Sequence, residues 1–253
     1  MIKLKTQNWV IENIDTVIFD KDGTFIDLHY FWGKMTEMRA MAIIKFLGLN
    51  ITYLEKIALL LGYSIKSGKM SPNGITALYS RTKIIEIFKS ELEKINLVIT
   101  KSDIEKIFDE VSQEFYKEIE KYIKPIEEAL DFIKKIRKLG LKTGIVTSDS
   151  VESTMLTLKL YKWEDLFDTV IGRESINETK ESGVPTKLAL NNLSANPKNT
   201  LMIGDAPMDY VSAKNAGINN IILVATGQIS LNELMQTTDF TIDTLRSIEC
   251  LEI

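Results

Sequence analysis

The sequence predicts an α/β protein whose core is a parallel sheet, interrupted by one long helical insertion. Two observations lead to this prediction. From Pro125 onward, short apolar runs alternate strictly with amphipathic segments, a pattern typical of a parallel sheet with helices on both faces. Between about Leu28 and Tyr122, the apolar residues instead recur almost entirely at helical spacing. We therefore expect a core of residues 1–26 and 124–253 and a helical insertion of residues 27–123.

Before Pro125, the pattern predicts one strand and several helices. DTVIFD, at residues 15–20, is predicted to be a buried strand that ends in Asp20. In the insertion, RTKIIEIFKSELEKI and SDIEKIFDEVSQEFYKEIEKY each place their apolar residues on one helical face. Ser102 and Glu105 have the spacing of a capping box, which predicts the start of the second helix. GYSIKSGKMSPNG, at residues 62–74, is predicted to be a loop or turn.

From Pro125 onward, helices and strands are predicted in strict alternation. Gly140 marks the end of the first helix. Pro185 suits the first turn of a later helix, because the N–H that proline lacks would be unpaired there. The predicted order is helix IEEALDFIKKIRKLG, strand LKTGIVT, helix SVESTMLTLKL, strand FDTVIG, helix PTKLALNNL, strand NTLMIGD, helix DYVSAKNAG and strand NNIILVAT.

The composition argues against several classes of partner. The net charge of -4 and a sequence pI of about 5.3 leave no basic excess for binding nucleic acid. No apolar run reaches the roughly 18 residues of a membrane span, so no membrane partner is expected. The first residues lack the apolar stretch of a signal peptide, and Cys250 is the one cysteine, so we expect a cytoplasmic protein. A monomer and a homodimer are both compatible with the sequence.

Acidic and hydroxyl side chains follow three of the predicted strands. Asp20 and Asp22 follow the first, Thr147 ends the second, and Asp205 follows the strand NTLMIG, with Asp209 four residues later. Because the carboxyl ends of parallel strands meet at one edge of the sheet, these groups are expected to converge. Converging carboxylates need a cation, and oxygen ligands favour Mg²⁺ or Ca²⁺. An aspartate beside Mg²⁺ can attack phosphorus, and a second one can exchange protons with the leaving group and water.

DKDGT, IVTS and GDAPMD occur in this order, and with them the sequence resembles the haloacid dehalogenase-like (HAD) superfamily of phosphohydrolases. The resemblance implies a Rossmann-like three-layer core with an inserted all-helical cap domain of the C1 type. It also implies that Asp20 is the nucleophile and Asp22 the general acid/base. Thr147 and Ser148 would bind the substrate phosphate, and Asp20, Asp205 and the backbone carbonyl of Asp22 would bind Mg²⁺.

The resemblance implies a function as well. It suggests a Mg²⁺-dependent phosphatase that acts on a small phosphorylated metabolite through an aspartyl-phosphate intermediate, with phosphoglycolate-phosphatase-like enzymes as the first subgroup. A phosphomutase of the same architecture and a non-catalytic module that binds a phosphorylated ligand are the alternatives.

Members of the superfamily also use a lysine, usually in a K-P-x-P motif that this sequence lacks. Lys180 and Lys187 are the two candidates for binding the phosphate. Lys187 would lie inside the first turn of its helix, leaving little helix to return across the sheet. Lys180 precedes the turn ESGV, and its distance from Asp205 matches the resembling family, so it is the preferred catalytic and phosphate-binding lysine.

Three further polar residues have less specific roles in the sequence. Asp149 is predicted to cap the helix that follows it. Asp209 could contact the metal, support its ligands, or be an ordinary charge in the first turn of a helix. His29, the one histidine, is expected to be a packed or surface residue.

Overall fold

The computed structural model describes residues 1–252, which form two compact units. One unit comprises Met1–Asp27 and the chain from Pro125 onward, and the other comprises Leu28–Lys124. The first unit is an α/β core, which confirms the predicted fold class. That the second unit serves as a cap stays a prediction.

Residues 1–252 form eleven strands and ten α-helices. The strands are β1 (Ile2–Lys5), β2 (Val10–Ile14), β3 (Thr16–Phe19), β4 (Tyr63–Ser64), β5 (Lys69–Met70), β6 (Lys142–Val146), β7 (Thr169–Ile171), β8 (Thr200–Gly204), β9 (Asn220–Val224), β10 (Thr241–Ile242) and β11 (Glu249–Glu252). The α-helices are α1 (Leu28–Leu47), α2 (Leu54–Leu60), α3 (Ile75–Leu78), α4 (Arg81–Lys94), α5 (Lys101–Lys117), α6 (Glu127–Lys138), α7 (Val151–Tyr161), α8 (Val184–Asn192), α9 (Pro207–Asn215) and α10 (Leu231–Leu234). Across residues 1–252, no helix is both long and apolar enough to cross a membrane.

The main sheet has six parallel strands in the order β10-β9-β8-β3-β6-β7. Strand β3 pairs with β6 on one side, where Thr16 lies opposite Lys142, and with β8 on the other, where it lies opposite Thr200. The order of the strands therefore reverses at β3. Ligands of open α/β sheets bind at the carboxyl ends of the strands where such a reversal occurs, so the end of β3 is the expected site.

Helices cover both faces of this sheet, as adjacent residues of β3 show. Ile18 belongs to a buried apolar cluster with Ala189 of α8 and Ala213 of α9. The ring of Phe19 instead contacts Phe132 of α6 edge-on, with 6.4 Å between the ring centroids. Successive side chains of a strand point to opposite faces. The core is thus three layers, helix on sheet on helix, as predicted. Pro185 lies in the first turn of α8, also as predicted.

A second, antiparallel sheet joins the two ends of the chain and was not predicted. Its order is β11-β1-β2, and Ile2 pairs with Glu252. In β1, Ile2 and Leu4 are buried while Lys5 is exposed, which is the alternation of a half-buried strand. The run IKLK is too short to stand out from its charged surroundings, and its partner β11 lies at the opposite end of the sequence.

The inserted unit packs the apolar faces that the sequence predicted. The buried residues of α4 and α5 are Ile84, Ile85, Phe88, Leu92, Ile104, Ile107, Phe108, Val111 and Phe115. The expectation of an all-helical insertion is wrong at one place. Within residues 62–74, predicted to be loop, β4 and β5 form a short antiparallel pair in which Tyr63 lies opposite Met70. Gly62 and Gly68, both with positive φ, flank and turn this hairpin, and their presence had suggested a loop.

Two smaller features of the inserted unit also differ from or extend the sequence analysis. The capping box predicted at Ser102 and Glu105 is wrong, because Thr100 caps α5 and its Oγ1 accepts a hydrogen bond of 3.1 Å from the backbone N–H of Asp103. Thr100 and Asp103 have the same spacing two residues earlier. His29 is partly buried, and its Nδ1 accepts a 3.0 Å hydrogen bond from the backbone N–H of Met70.

Candidate active site

Asp20 lies at the carboxyl end of the central strand, where the strand order reverses. Its backbone N–H donates to the carbonyl of Ile203 in β8 at 2.8 Å, which ties it to the neighbouring strand. Asp205 follows β8, and Asp209 lies in the first turn of α9. One carboxylate oxygen of each of these three aspartates lies within 4.8 Å of the others, and all three are buried. The structure therefore brings together the acidic residues that follow two separate strands.

A tight turn after Asp20 sets the position of Asp22. The backbone N–H groups of Phe25 and Ile26 both donate to the carbonyl of Lys21, each at 3.1 Å. Gly23 has a φ of 91°, a backbone conformation that residues with a Cβ rarely adopt. The turn thereby places Asp20 and Asp22 at one end of β3, on either side of Lys21.

The carboxylate of Asp205 is packed between two glycines. A Cβ added at Gly23 or at Gly227 would overlap this carboxylate. Thr226, beside Gly227, donates from Oγ1 to the carbonyl of Gly23 at 2.5 Å and so joins the two glycine segments. Neither Thr226 nor Gly227 was predicted from the sequence to belong to the site. Thr226 is the last residue of the predicted strand NNIILVAT and Gly227 directly follows it. The carboxyl end of this strand lies at the same edge of the sheet, so a glycine there was the available signal.

Replacing Gly227 by alanine should therefore displace the Asp205 carboxylate. We expect the Gly227→Ala variant to lose about 10- to 100-fold in affinity for a divalent cation, the usual effect of disturbing the residues that hold a metal ligand in place. The measurement is Mg²⁺-dependent thermal stabilisation of the folded protein, which does not require turnover.

Gly140→Ala is the matched control for this experiment, because the added methyl meets no atom within 4 Å. Gly140 has a φ of 78°, so the control should lower the melting temperature without changing the response to Mg²⁺. Equal Mg²⁺ responses in Gly227→Ala and wild type would contradict the proposed packing of Asp205.

Asp20, Asp205 and Asp209 form an acidic cluster, and Lys180 contacts it. It lies in a single 3₁₀ turn, Lys180–Ser182, just before α8. Its Nζ is 2.5 Å from Oδ1 of Asp20 and 2.6 Å from Oδ1 of Asp209. The other oxygen of Asp209 accepts a 3.0 Å hydrogen bond from the backbone N–H of Ala206. Lys187, the alternative candidate, is exposed on α8.

The acidic cluster carries more negative charge than Lys180 balances. Burial raises the pKa of the Asp20 carboxyl to about 7; Asp209 and Asp22 also raise it, while Lys180 opposes the shift. Burial, Asp20 and Asp209 likewise raise the pKa of Asp205 well above its ordinary value. For Lys180, burial favours the neutral form, but Asp20 and Asp209 outweigh it and raise the pKa. Buried carboxylates in excess of cations are the donor set that a divalent cation fits.

A second lysine, Lys21, forms its own buried ion pairs beside this cluster. Its Nζ lies 2.6 Å from Oδ1 of Asp22 and 3.0 Å from Oδ2 of Asp149. Burial favours the neutral forms of both Lys21 and Asp149. For Lys21, the charges of Asp22 and then Asp149 outweigh burial and raise its pKa. For Asp149, the charge of Lys21, together with hydrogen bonds such as that from the N–H of Ser150, outweighs burial and lowers its pKa. The prediction that Asp149 caps α7 is wrong, because Ser150 accepts the capping hydrogen bond from the N–H of Ser153 at 3.1 Å. The sequence signal for Lys21 was a charge directly after a buried strand.

The two hydroxyl residues expected to bind phosphate lie at the end of β6, the strand beside β3. Thr147 is buried, its N–H donates to the carbonyl of Ile171 at 2.9 Å, and its Oγ1 accepts from the N–H of Asp149 at 3.1 Å. Ser148 is exposed, and its Oγ lies 3.8 Å from Sδ of Met208. The Thr147 hydroxyl proton can still be donated to a ligand.

This chain matches a protein-family model and a pyrophosphatase over most of its length. The family model described as "Haloacid dehalogenase-like hydrolase" matches residues 17–223. Pyrophosphatase PpaX of Bacillus thuringiensis (strain Al Hakam) is 26% identical over 204 residues, which cover 81% of this chain and 80% of that protein.

Solved structures show the same fold. A "predicted phosphoglycolate phosphatase" from Haemophilus somnus 129PT aligns with a TM-score of 0.68 at 15% identity, covering 93% of this chain and 96% of that one. A candidate β-phosphoglucomutase from Thermotoga maritima aligns with a TM-score of 0.66 at 16% identity, covering 92% and 95%. At these identities the similarity shows the fold alone.

Proposed function

The chain belongs to the haloacid dehalogenase-like hydrolase family, and from this premise we propose that it is a Mg²⁺-dependent phosphatase acting on a small phosphorylated metabolite. The observation that carries the proposal is the placement of Asp20. It is buried at the end of the central strand, 2.5 Å from the ammonium of Lys180, and in a cluster with two further carboxylates. A carboxylate held between a fixed cation and a cation-binding cluster is positioned to attack phosphorus.

In the proposed reaction, an oxygen of Asp20 attacks the phosphorus atom and the bond to the leaving oxygen breaks. Asp22 gives its proton to that leaving oxygen, which departs as an alcohol or an acid. Asp22 then takes a proton from water, whose oxygen attacks the phosphorus of the aspartyl-phosphate. The products are inorganic phosphate and the original Asp20 carboxylate. Throughout, Lys180 holds Asp20 and balances charge on the phosphoryl group, and Thr147 donates its hydroxyl proton to a phosphoryl oxygen.

Asp20, Asp205 and the backbone carbonyl of Asp22 are the groups that would hold Mg²⁺. When bound, the ion would neutralise the carboxylates and stabilise the negative charge on the phosphoryl oxygens. Asp209 would act indirectly, because its carboxylate already bonds Lys180 and the N–H of Ala206.

We expect the purified protein to release inorganic phosphate from at least one member of a panel of phosphorylated compounds, and only when Mg²⁺ is present. The panel includes alkyl phosphates, phosphoglycolate, p-nitrophenyl phosphate and pyrophosphate, the last because of the name of the Bacillus thuringiensis relative. Ca²⁺ should support little turnover, because its larger and looser coordination allows both oxygens of one carboxylate to bind it.

The controls for this experiment separate the proposed function from its alternatives. Excess chelator should abolish release, and added Mg²⁺ should restore it. Full activity in chelator would refute the metal assignment. A phosphoryl group that moves within a sugar phosphate, without release, would indicate a phosphomutase. Binding without turnover across the whole panel would indicate a module that only binds its ligand.

A further inference from the structure

Lys21 is a buried charge at the site to which the proposed reaction gives no role. It is fully buried, with 0% of its surface exposed, and it lies between Asp20 and Asp22 in the chain. Burying an ammonium group is costly unless carboxylates pair with it, and here Asp22 and Asp149 do so. A buried ion pair of this kind often adds little to stability. Its effect on the orientation of the Asp22 carboxylate is therefore the more useful indication of its role.

Asp149 is itself fixed by the loop that follows β6. Its Oδ1 accepts a 2.7 Å hydrogen bond from the N–H of Ser150, and its own N–H donates to Oγ1 of Thr147. Its carbonyl accepts from the N–H of Arg173 at 2.9 Å. The backbone and one carboxylate oxygen of Asp149 are thus held, and the other oxygen lies 3.0 Å from Nζ of Lys21. Asp149 is a fixed anchor for the lysine.

Lys21 connects the fixed Asp149 to Asp22, the proposed general acid/base. Asp22 Oδ1 lies 2.6 Å from Nζ of Lys21, and the carbonyl of Lys21 is held by the N–H groups of Phe25 and Ile26. Both ends of Lys21 are therefore fixed, one by the turn and one by Asp149. Proton transfer requires the carboxylate within about 2.6–3.2 Å of the leaving oxygen, so the orientation of Asp22 limits how well it can act.

We propose that Asp149 and Lys21 are positioning residues, which hold the Asp22 carboxylate in the orientation that delivers a proton to the leaving group. This inference rests on the proposed phosphatase function. It predicts that loss of either residue harms those substrates whose leaving group needs a proton. An alkoxide leaves poorly without one, whereas p-nitrophenolate leaves readily, so the two substrate types report separately on Asp22.

The main test uses Asp149→Asn, which keeps the size of the side chain and leaves Lys21 paired with Asp22. The value of kcat/KM is measured for p-nitrophenyl phosphate and for the best alkyl phosphate of the panel, because it reports the steps up to departure of the leaving group. We expect a fall of about tenfold or more for the alkyl phosphate and a fall of less than about threefold for p-nitrophenyl phosphate. Glu152→Gln, at an exposed position in the first turn of α7, is the control and should change neither value.

A second pair of variants tests whether Asp149 acts through Lys21. Lys21→Met should show the same substrate preference with a larger loss, about 100-fold for the alkyl phosphate. The double variant Lys21→Met/Asp149→Asn removes one positive and one negative charge, so it retains the buried charge balance if the single lysine variant fails to fold. Its loss of kcat/KM should not exceed that of Lys21→Met, because the effects of two residues that act through the same contact do not add.

Equal losses for both substrates, no loss for either, or additive losses in the double variant would overturn the positioning role while leaving wild-type phosphatase activity intact. Failure of the wild-type protein to release phosphate from any substrate would instead refute the proposed function, and the inference with it.

Discussion

The Asp20→Asn variant is expected to lose phosphate release by at least about a thousandfold while it keeps its fold. The amide is nearly the same size as the carboxylate, but its oxygen is a poor nucleophile toward phosphorus. The backbone hydrogen bond to Ile203 does not involve the side chain, and Lys180 retains its ion pair with Asp209. One fewer carboxylate in the acidic cluster reduces like-charge repulsion, so the free energy of unfolding should hold or rise.

Phosphate release and thermal melting of the purified variant check these two expectations. Asp131→Asn, which removes an exposed carboxylate on α6, is the matched control and should behave as wild type. Acid quenching during turnover adds direct evidence, because the wild-type peptide that contains Asp20 should carry a phosphoryl group. The same peptide of the Asn variant should carry none. Release at the wild-type rate by Asp20→Asn would rule out Asp20 as the nucleophile.

Replacing Lys180 by alanine is expected to have the second-largest effect, a fall in turnover of about 100-fold or more. The ammonium of Lys180 contacts both Asp20 and Asp209, so its loss leaves buried carboxylates without their cation. Removing one partner of a buried ion pair typically lowers the free energy of unfolding by about 3–5 kcal/mol, so the melting temperature should fall as well. Lys187→Ala removes an exposed lysine seven positions away and should leave both turnover and melting unchanged.

A charge-balanced variant separates lost catalysis from lost stability. Lys180→Met/Asp209→Asn removes one positive and one negative charge, so it should melt closer to wild type than Lys180→Ala. It should still be inactive, because nothing then holds Asp20 or balances the phosphoryl charge. If Lys187→Ala loses most of its turnover while Lys180→Ala keeps turnover near that of wild type, Lys180 is not the phosphate-binding lysine.

The convergence of acidic residues could be predicted because it needs only local patterns and one general rule. The strands β3, β6 and β8 were each recognisable from an apolar run, and each was followed by a polar residue: Asp20, Thr147 and Asp205 respectively. Parallel strands end at a common edge, so residues at the ends of β3, β6 and β8 must lie near one another once those strands are neighbours. The structure places these residues at that edge.

Other parts of the site depend on contacts between distant segments. Gly227 had no role in the sequence analysis because its importance lies in the space that the Asp205 carboxylate occupies. Asp149 was assigned to a helix cap on local grounds, and its pairing with Lys21 depends on how two loops approach each other. Lys180 was preferred over Lys187 from the length of helix that follows each, but its contacts with Asp20 and Asp209 could not be read from the sequence.

The α/β class, the mainly helical character of the insertion and the strand ends that carry the acidic residues all follow from the amino-acid sequence alone. These features follow from periodicity and from short motifs, which are local properties of the chain. Three features required the folded structure: the pairing of β1 with β11 from the far end of the chain, the pairing of Lys21 with Asp149, and the packing of Gly227 against Asp205. Such contacts join residues far apart in the sequence, and they are selected by packing and charge neutralisation when the whole core assembles.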